Sequence, residues 1–288
     1  MTKKTHYSIG FIGGGNMASS IIGGLVPDII DSDSIHVFDP NFDQLSQLCK
    51  QFGVVASPSN EDLIQHCDVV VLAIKPQTMS AVLTPIATIL CEKKPLIISI
   101  AAGITNDIIL QVITQSCKHE APRKDLAIIR VMPNTPALVN AGASGMYAND
   151  YVTNSQKEIA DTLLSAVGCA VWVDNESDID AVTALSGSGP AYFMLFIQSL
   201  IESAEQAGLS HTVAKKLAIN TCAGSAKLIQ NSEADIAQLI KNVTSPGGTT
   251  EQALQSFKNN ELPHIIDNAF KAALQRSKEL GAELSKNL

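Results

Sequence analysis

Two patterns alternate along the first 170 or so residues. Short apolar runs recur without polar interruption: "YSIGFI" (7–12), "IHVF" (35–38), "GVVA" (53–56), "VVVLAI" (69–74), "LIISI" (96–100), "LAIIRV" (126–131) and "AVWV" (170–173). Helix-length stretches separate them, among them 16–26, 77–90 and 104–115. A continuous Val/Ile run reads as a strand buried on both faces, the habit of parallel strands. The βαβα rhythm predicts an open, mostly parallel sheet covered by helices. After Asp174 the β rhythm stops, and only helical patterns follow, punctuated at Gly208, 245–248 and Pro263. The composition shift at "VDNESD" (173–178) sets the expected boundary. Residues 1–174 form an α/β domain and residues 175–288 an all-α domain. A helical half this apolar predicts packing against another body, for which a partner subunit is the natural candidate.

Composition narrows the classes. Hydrophobic residues make up 45% of the 288 and charged residues 17%, which fits a packed core and not disorder. The formal charge is 20 − 28 = −8. With no basic stripe, nucleic acid is not an expected partner. An anionic ligand must then be held by local groups, not by the general field of the surface. Cys49, Cys67, Cys91, Cys117, Cys169 and Cys222 show no metal-ligand spacing, and none of the six histidines lies in a motif. Reduced thiols, no metal site and a cytoplasmic location are the expectation.

Two stretches imitate membrane signals. The N-terminus carries two lysines and then an uncharged run from Tyr7 to Pro27, somewhat like a signal peptide. Residues 181–201 are 21 without a charge, long enough to span a bilayer. The glycine spacing in the first favours a strand, turn and helix. "SGSGP" (186–190) and Gln198 in the second favour a buried core helix, so no membrane association is expected.

The chemistry begins at "SIGFIGGGNMASSIIGGL". Gly13, Gly15 and Ala18 stand in the G-x-G-x-x-A pattern between a strand and a helix. Gly13 permits the tight turn, Gly15 lets a pyrophosphate approach the backbone, and Ala18 allows close helix–strand packing. The helix start offers free N–H groups to a diphosphate without a lysine. A dinucleotide-binding Rossmann domain is the reading; a glycine-rich turn that binds nothing is the plain alternative. Asp39 ends the second strand, where a carboxylate takes the ribose hydroxyls of NAD and repels a 2′-phosphate. A solvated carboxylate turned away is its alternative, and Asn41 and Asn60 are donors that keep NADPH open. Pro76 forces Lys75 extended at a later strand end, either aiming its backbone at the cofactor or making an ordinary strand-to-helix turn. "ISIAAGIT" ends a strand in small residues that suit a flat ring.

Three further stretches are more specific: "RVMPNTPALVNAGASGMYAND" (130–150), "DAVTALSGSGPAYFMLFIQSLIESAEQAGL" (180–209) and "VTSPGGTTEQAL" (243–254). With "GFIGGGNMA", "AIKP" and "ISIAAGIT" they resemble, in order from Ile9 to at least Leu254, the pyrroline-5-carboxylate reductase family. The resemblance implies reduction of (S)-1-pyrroline-5-carboxylate to L-proline by NADPH or NADH, the last step of proline biosynthesis. It implies a homodimer interlocked through the helical domain, with decamers in many members. It implies that Ile12, Gly13, Gly14, Gly15, Asn16, Met17, Asn60, Ala73, Ile74, Lys75, Pro76, Ile100, Ala101 and Ala102 line the cofactor. Glu176, Thr183, Asn242, Ser245, Gly247, Gly248, Thr249 and Thr250 would surround the substrate. The segment that sets cofactor specificity in the family varies, and "FDPN" with Asp39 leaves NADPH and NADH both open.

"SPGGTT" suits a carboxylate. Pro246 presets φ at a helix entrance, the glycines bare the backbone amides, and Ser245, Thr249 and Thr250 add hydroxyls. A helix start that caps itself is the alternative. Thr183, one turn before "SGSGP", is expected to bond the imine nitrogen and hold its proton; a hydroxyl bonded to its own helix is the alternative. "SGSGP" itself reads as a kink, as a floor of small residues, or as both. A β-hydroxyacid dehydrogenase shares the two-domain plan but needs a basic lysine after its glycine motif. Here Phe193 stands at that place, and no lysine occurs between Gly187 and Ala214. A non-catalytic nucleotide-binding module would keep the glycine loop but have no use for "SPGGTT".

Overall fold

The computed structural model describes residues 7–26, 28–117 and 125–286. His6 and His119, and the lysines at the N-terminus, lie outside the described residues.

Eight strands form one sheet: β1 (Ile9–Ile12), β2 (Ile35–Phe38), β3 (Val55–Ala56), β4 (Val69–Leu72), β5 (Leu96–Ser99), β6 (Ile128–Met132), β7 (Gly142–Ala148) and β8 (Gly168–Trp172). The spatial order is β3-β2-β1-β4-β5-β6-β7-β8. The first six strands are parallel; β7 runs antiparallel to β6, and β8 runs parallel to β7. Chain order reverses between β1 and β4, so a crevice opens there at the strands' carboxyl ends.

The helices are α1 (Asn16–Leu25), α2 (Phe42–Phe52), α3 (Asn60–His66), α4 (Met79–Lys93), α5 (Asn106–Ser116), α6 (Asn154–Ser165), α7 (Asp178–Val182), α8 (Gly189–Gln206), α9 (His211–Gln230), α10 (Ile236–Asn242), α11 (Thr249–Asn259) and α12 (Leu262–Lys286). Alternation along the strands builds two cores. Ile9, Phe11, Val69, Val71, Leu96 and Ile98 face α1, α2 and α6 on one side. Ile12, Val70, Leu72, Ile97 and Ile128 face α3, α4 and α5 on the other. Burial on both faces explains why these runs show no polar alternation.

The strand absent from the sequence reading is β7. "GASGMYA" holds none of the Val/Ile that marks its neighbours, because its backbone is crowded. A β-carbon on Gly142 would meet the Val167 carbonyl at 2.9 Å, and one on Gly145 would meet Val182 at 2.6 Å. Close approach, not β propensity, chose these residues.

The chain divides into two compact units: Met1–Ser188 with Ala273–Leu288, and Gly189–Ala272. The second contains α8 to α11 and the beginning of α12. Residues 181–201 are not the buried core helix that their composition suggested. The stretch Asp178–Gln206 is long and apolar enough to cross a membrane by length and composition, yet only 17% of its most apolar window is buried in the single chain. Phe193, Met194 and Leu195 are each more than 60% exposed. So large an exposed apolar surface marks a place where another body packs.

Gly145→Ala forces a β-carbon against Val182 on α7. Overpacking of this kind costs about 1–3 kcal/mol, so the urea midpoint falls with its slope unchanged.

Candidate active site

The glycine loop joins β1 to α1 over the crevice. Gly13 has φ +97°, and a β-carbon there would stand 2.4 Å from the Ala73 carbonyl. Its amide donates to the Phe38 carbonyl at 2.8 Å. A β-carbon on Gly15 would meet nothing within 4 Å. The open space therefore lies on the side where α1 begins, and no side chain caps that start. Such a cradle suits a diphosphate.

Asp39 is turned into this loop and not away from it. Its Oδ2 accepts from the Gly14 amide at 2.7 Å and its Oδ1 from the Asn41 amide at 2.8 Å. Gln44 adds a bond from Nε2 to the Gly14 carbonyl at 2.6 Å. The carboxylate at the end of β2 thus latches the loop as well as facing the crevice. Farther along the same sheet edge, Ser57 Oγ and Asn60 Oδ1 are buried with no hydrogen-bond partner. Unsatisfied polar atoms cost free energy, and these two offer acceptor or hydroxyl chemistry beside the same edge.

Beyond β4, Ala73 and Ile74 lead to Lys75, which is extended (φ −67°, ψ 141°) and exposed ahead of Pro76. Both the Thr78 amide and its hydroxyl donate to the Lys75 carbonyl. After β5, the Ile100 amide donates to the Leu72 carbonyl at 3.3 Å, with Ala101 buried and Ala102 exposed. The structure therefore brings Ile12–Met17, Asp39, Asn60, Ala73–Pro76 and Ile100–Ala102 to one edge of one sheet.

Thr183 opens a π-helical turn, Thr183–Gly187, that joins α7 to α8. The "SGSGP" stretch thus widens the helix and does not break it. Widened turns release backbone groups, and Asn134 takes one of them: its Nδ2 donates to the Ser186 carbonyl at 3.0 Å while its Oδ1 accepts from Ala143. The Thr183 hydroxyl donates to the Ile179 carbonyl at 2.8 Å. Its proton is committed to its own helix and its lone pairs are not. Glu176 Oε1 accepts from the Asn106 amide at 2.7 Å and lies 3.4 Å from Arg130 Nη1. Burial first, then the Glu176 carboxylate, pushes the Tyr147 phenol upward.

In the second unit, Ser245, Gly247, Gly248, Thr249 and Thr250 gather at the start of α11. Gly247 has φ +72°, and Gly248 is the N-cap without a side-chain bond. The Gly247 amide is engaged: Glu251 Oε2 accepts from it at 2.8 Å. A carboxylate of the chain itself sits on one of the amides that the sequence offers to an acid. Asn242 ends α10, its Oδ1 accepting from Gln238 at 2.7 Å.

Arg130 and Asn134 lie inside a quoted motif, yet the sequence reading gave them no task. The signal for Arg130 was a lone charge within the apolar run "LAIIRV". Nothing comparable marks Glu251, whose bond depends on the turn at Gly247.

Gly13→Ala must adopt a strained φ against the Ala73 carbonyl. Strain of about 1–3 kcal/mol corresponds to roughly ten- to hundredfold weaker dinucleotide binding, measurable by fluorescence titration of the reduced cofactor.

Comparison with known proteins matches two family descriptions. Residues 176–280 fit pyrroline-5-carboxylate reductase dimerisation, and residues 8–103 fit NADP oxidoreductase, coenzyme F420-dependent. A pyrroline-5-carboxylate reductase of Pseudomonas aeruginosa is 45% identical over 276 residues, 96% of this chain and 97% of the relative. A solved pyrroline-5-carboxylate reductase from Coxiella burnetii superposes with a TM-score of 0.89 at 40% identity, covering 96% of this chain and 99% of the other. The Plasmodium falciparum pyrroline carboxylate reductase, solved with NADP bound, gives 0.81 at 32% identity over 97% and 100%.

Proposed function

The chain belongs to the pyrroline-5-carboxylate reductase family, and we infer that it reduces (S)-1-pyrroline-5-carboxylate to L-proline with NAD(P)H, the last step of proline biosynthesis. The observation that carries this reading is the match to relatives over their full length, within which both the glycine cradle and the "SPGGTT" helix start fall.

NAD(P)H, when bound, supplies the hydride that the imine carbon accepts. The residues along the sheet edge suit that cofactor: bare amides at α1 for the diphosphate, Asp39 and Asn60 for the nucleoside end, Ala73–Pro76 and Ile100–Ala102 for the nicotinamide end. Asp39 serves its loop with both oxygens, so a 2′-phosphate and a ribose hydroxyl each meet a carboxylate that is already bonded. Neither NADPH nor NADH is set aside by that arrangement.

The substrate's carboxylate goes to the start of α11. Charge-assisted N–H···O⁻ bonds are roughly twice as strong as neutral ones, and the helix dipole adds about 0.3–1 kcal/mol. Ser245, Thr249 and Thr250 add hydroxyl donors, and Asn242 belongs to the same group by resemblance. For the imine nitrogen the resemblance offers Thr183. Because its hydroxyl proton is spent on Ile179, its oxygen accepts, and the N–H of a protonated imine is the donor that fits. Hydride then adds to the imine carbon, the C=N π pair moves to nitrogen, and nitrogen keeps its proton as the amine. Positioning of the ring is what the protein contributes, worth up to about 7–11 kcal/mol in favourable models.

The enzyme acts on a small molecule and oligomerises. The exposed faces of α8 and its neighbours, within the matched dimerisation region, support a homodimer formed through residues 175–288, with residues 1–174 as the dinucleotide-binding domain. The end of β8 at Trp172 supports that division. A decamer, a cytoplasmic location and the absence of membrane association complete the reading.

Initial rates with pyrroline-5-carboxylate against NADPH and NADH in parallel test the assignment; proline must form in step with cofactor oxidation, and cofactor binding without oxidation would sink it. At saturating cofactor, Thr183→Ala loses on the order of ten- to a hundredfold in kcat, whereas Thr183→Ser, which keeps the accepting oxygen, stays near the parent. Equal turnover of the two variants removes Thr183 from the mechanism.

A further inference from the structure

Arg130 is a cation in the interior of the sheet, 4% exposed, at the middle of β6. It sits across from Ser99 of β5 and Tyr147 of β7 in the sheet register. Its Nη1 lies 3.4 Å from Glu176 Oε1 and its Nη2 lies 3.9 Å from Asp180 Oδ1. Each carboxylate carries a second bond to a different element. Glu176 accepts from the Asn106 amide, the first residue of α5, at 2.7 Å. Asp180 accepts from the Ser277 hydroxyl of α12 at 2.8 Å, and Ser277 is 5% exposed. Four elements, α5, β6, α7 and α12, are linked through one guanidinium and its two carboxylates. A planar fork with several donors spans two carboxylates in a way that a lysine ammonium does not.

The cluster touches two parts of the machinery from behind. The loop from Ile100 to Thr105 ends at Asn106, so the Glu176 bond fixes the far end of the segment that lines the nicotinamide side. The same loop is bounded by α12: a β-carbon on Gly281 would come 3.3 Å from the Gly103 carbonyl. Asp180 lies three residues before Thr183 on α7 and its continuation. A buried ion cluster replaced as a whole by apolar residues often costs the fold little, whereas loss of one partner strands the others. This one is tied to the two segments whose register decides how hydride donor and proton holder meet.

We propose that Arg130 is a positioning residue, which through Glu176 and Asp180 holds the β5–α5 loop and the Thr183 turn in a single register. The proposal rests on the reductase reading given above. It recasts Glu176 as a support acting through Asn106 and Arg130.

The test compares Arg130→Lys, Arg130→Met and Glu176→Gln with the parent enzyme. Hydrogen–deuterium exchange is followed over residues 100–110 in cofactor-free protein, alongside the dissociation constant for NADPH and the separate values of kcat and KM. Glu176→Gln keeps an acceptor for the Asn106 amide and removes the charge, so it covers the case in which an Arg130 variant fails to fold. The expected result is exchange at the start of α5 faster by about tenfold, and kcat lower by on the order of ten- to a hundredfold with KM for pyrroline-5-carboxylate nearly constant. Arg130→Lys should recover part of both effects. Parental kcat in a folded Glu176→Gln or Arg130→Met variant overturns the proposal. So does a loss of kcat accompanied by unchanged exchange over 100–110. If the parent itself does not reduce pyrroline-5-carboxylate, the reductase reading falls, and the exchange measurement still judges the clamp.

Discussion

Backbone amides can hold an anion where a helix begins without a side-chain cap. Among the described α-helices with an extended N-cap residue, α2, α3, α5, α6, α9 and α10 are capped by the side chains of Asn41, Ser59, Thr105, Thr153, Ser210 and Asp235. The two that lack such a cap, α1 and α11, both begin at glycine. A glycine N-cap costs only a few tenths of a kcal/mol relative to a capping side chain. In exchange the first amides stay available to a diphosphate or a carboxylate. A surface at a net charge of −8 offers an anion no general attraction.

What the sequence made legible follows from the same logic. The strands buried on both faces announced themselves because neighbouring helices demand apolar side chains on each side. The glycine loop announced itself because Gly13 has a φ that other residues resist. Other features resisted reading for equally physical reasons. β7 is built from small residues that meet neighbouring backbone and Val182, so its composition looks like a loop. Whether the apolar residues of α8 are covered within the chain or by another copy is invisible to periodicity, which records only that they avoid water. The direction of the Thr183 hydroxyl bond depends on the π-turn that follows, and no residue count forecasts that turn. Arg130 was visible as a misplaced charge, but its partners come from sequence separations of 46 and 50 residues, 176 − 130 and 180 − 130. The cofactor residues mapped by resemblance lie along the sheet edge, Ser245, Gly247, Gly248, Thr249 and Thr250 lie at the start of α11, and Glu176, Thr183 and Asn242 lie at neither place.

The exposed helical unit ties stability to association. A helix exposing Phe193, Met194, Leu195 and Phe196 around its circumference, each at least 45% exposed, is favourable only when covered. Folding and assembly of such a chain are coupled, and its apparent stability rises with protomer concentration. Fold and oligomer thereby become one problem for the helical half, while the sheet half carries its own two-sided core.

Glu251 already occupies the Gly247 amide at the start of α11. An incoming acid that takes the Gly247 amide exchanges one charged partner for another, so that single bond contributes little net free energy. Selectivity is then shifted onto whatever else the ligand presents. A bare carboxylate such as acetate brings nothing more to offset the eviction, whereas a ring with a cationic nitrogen does.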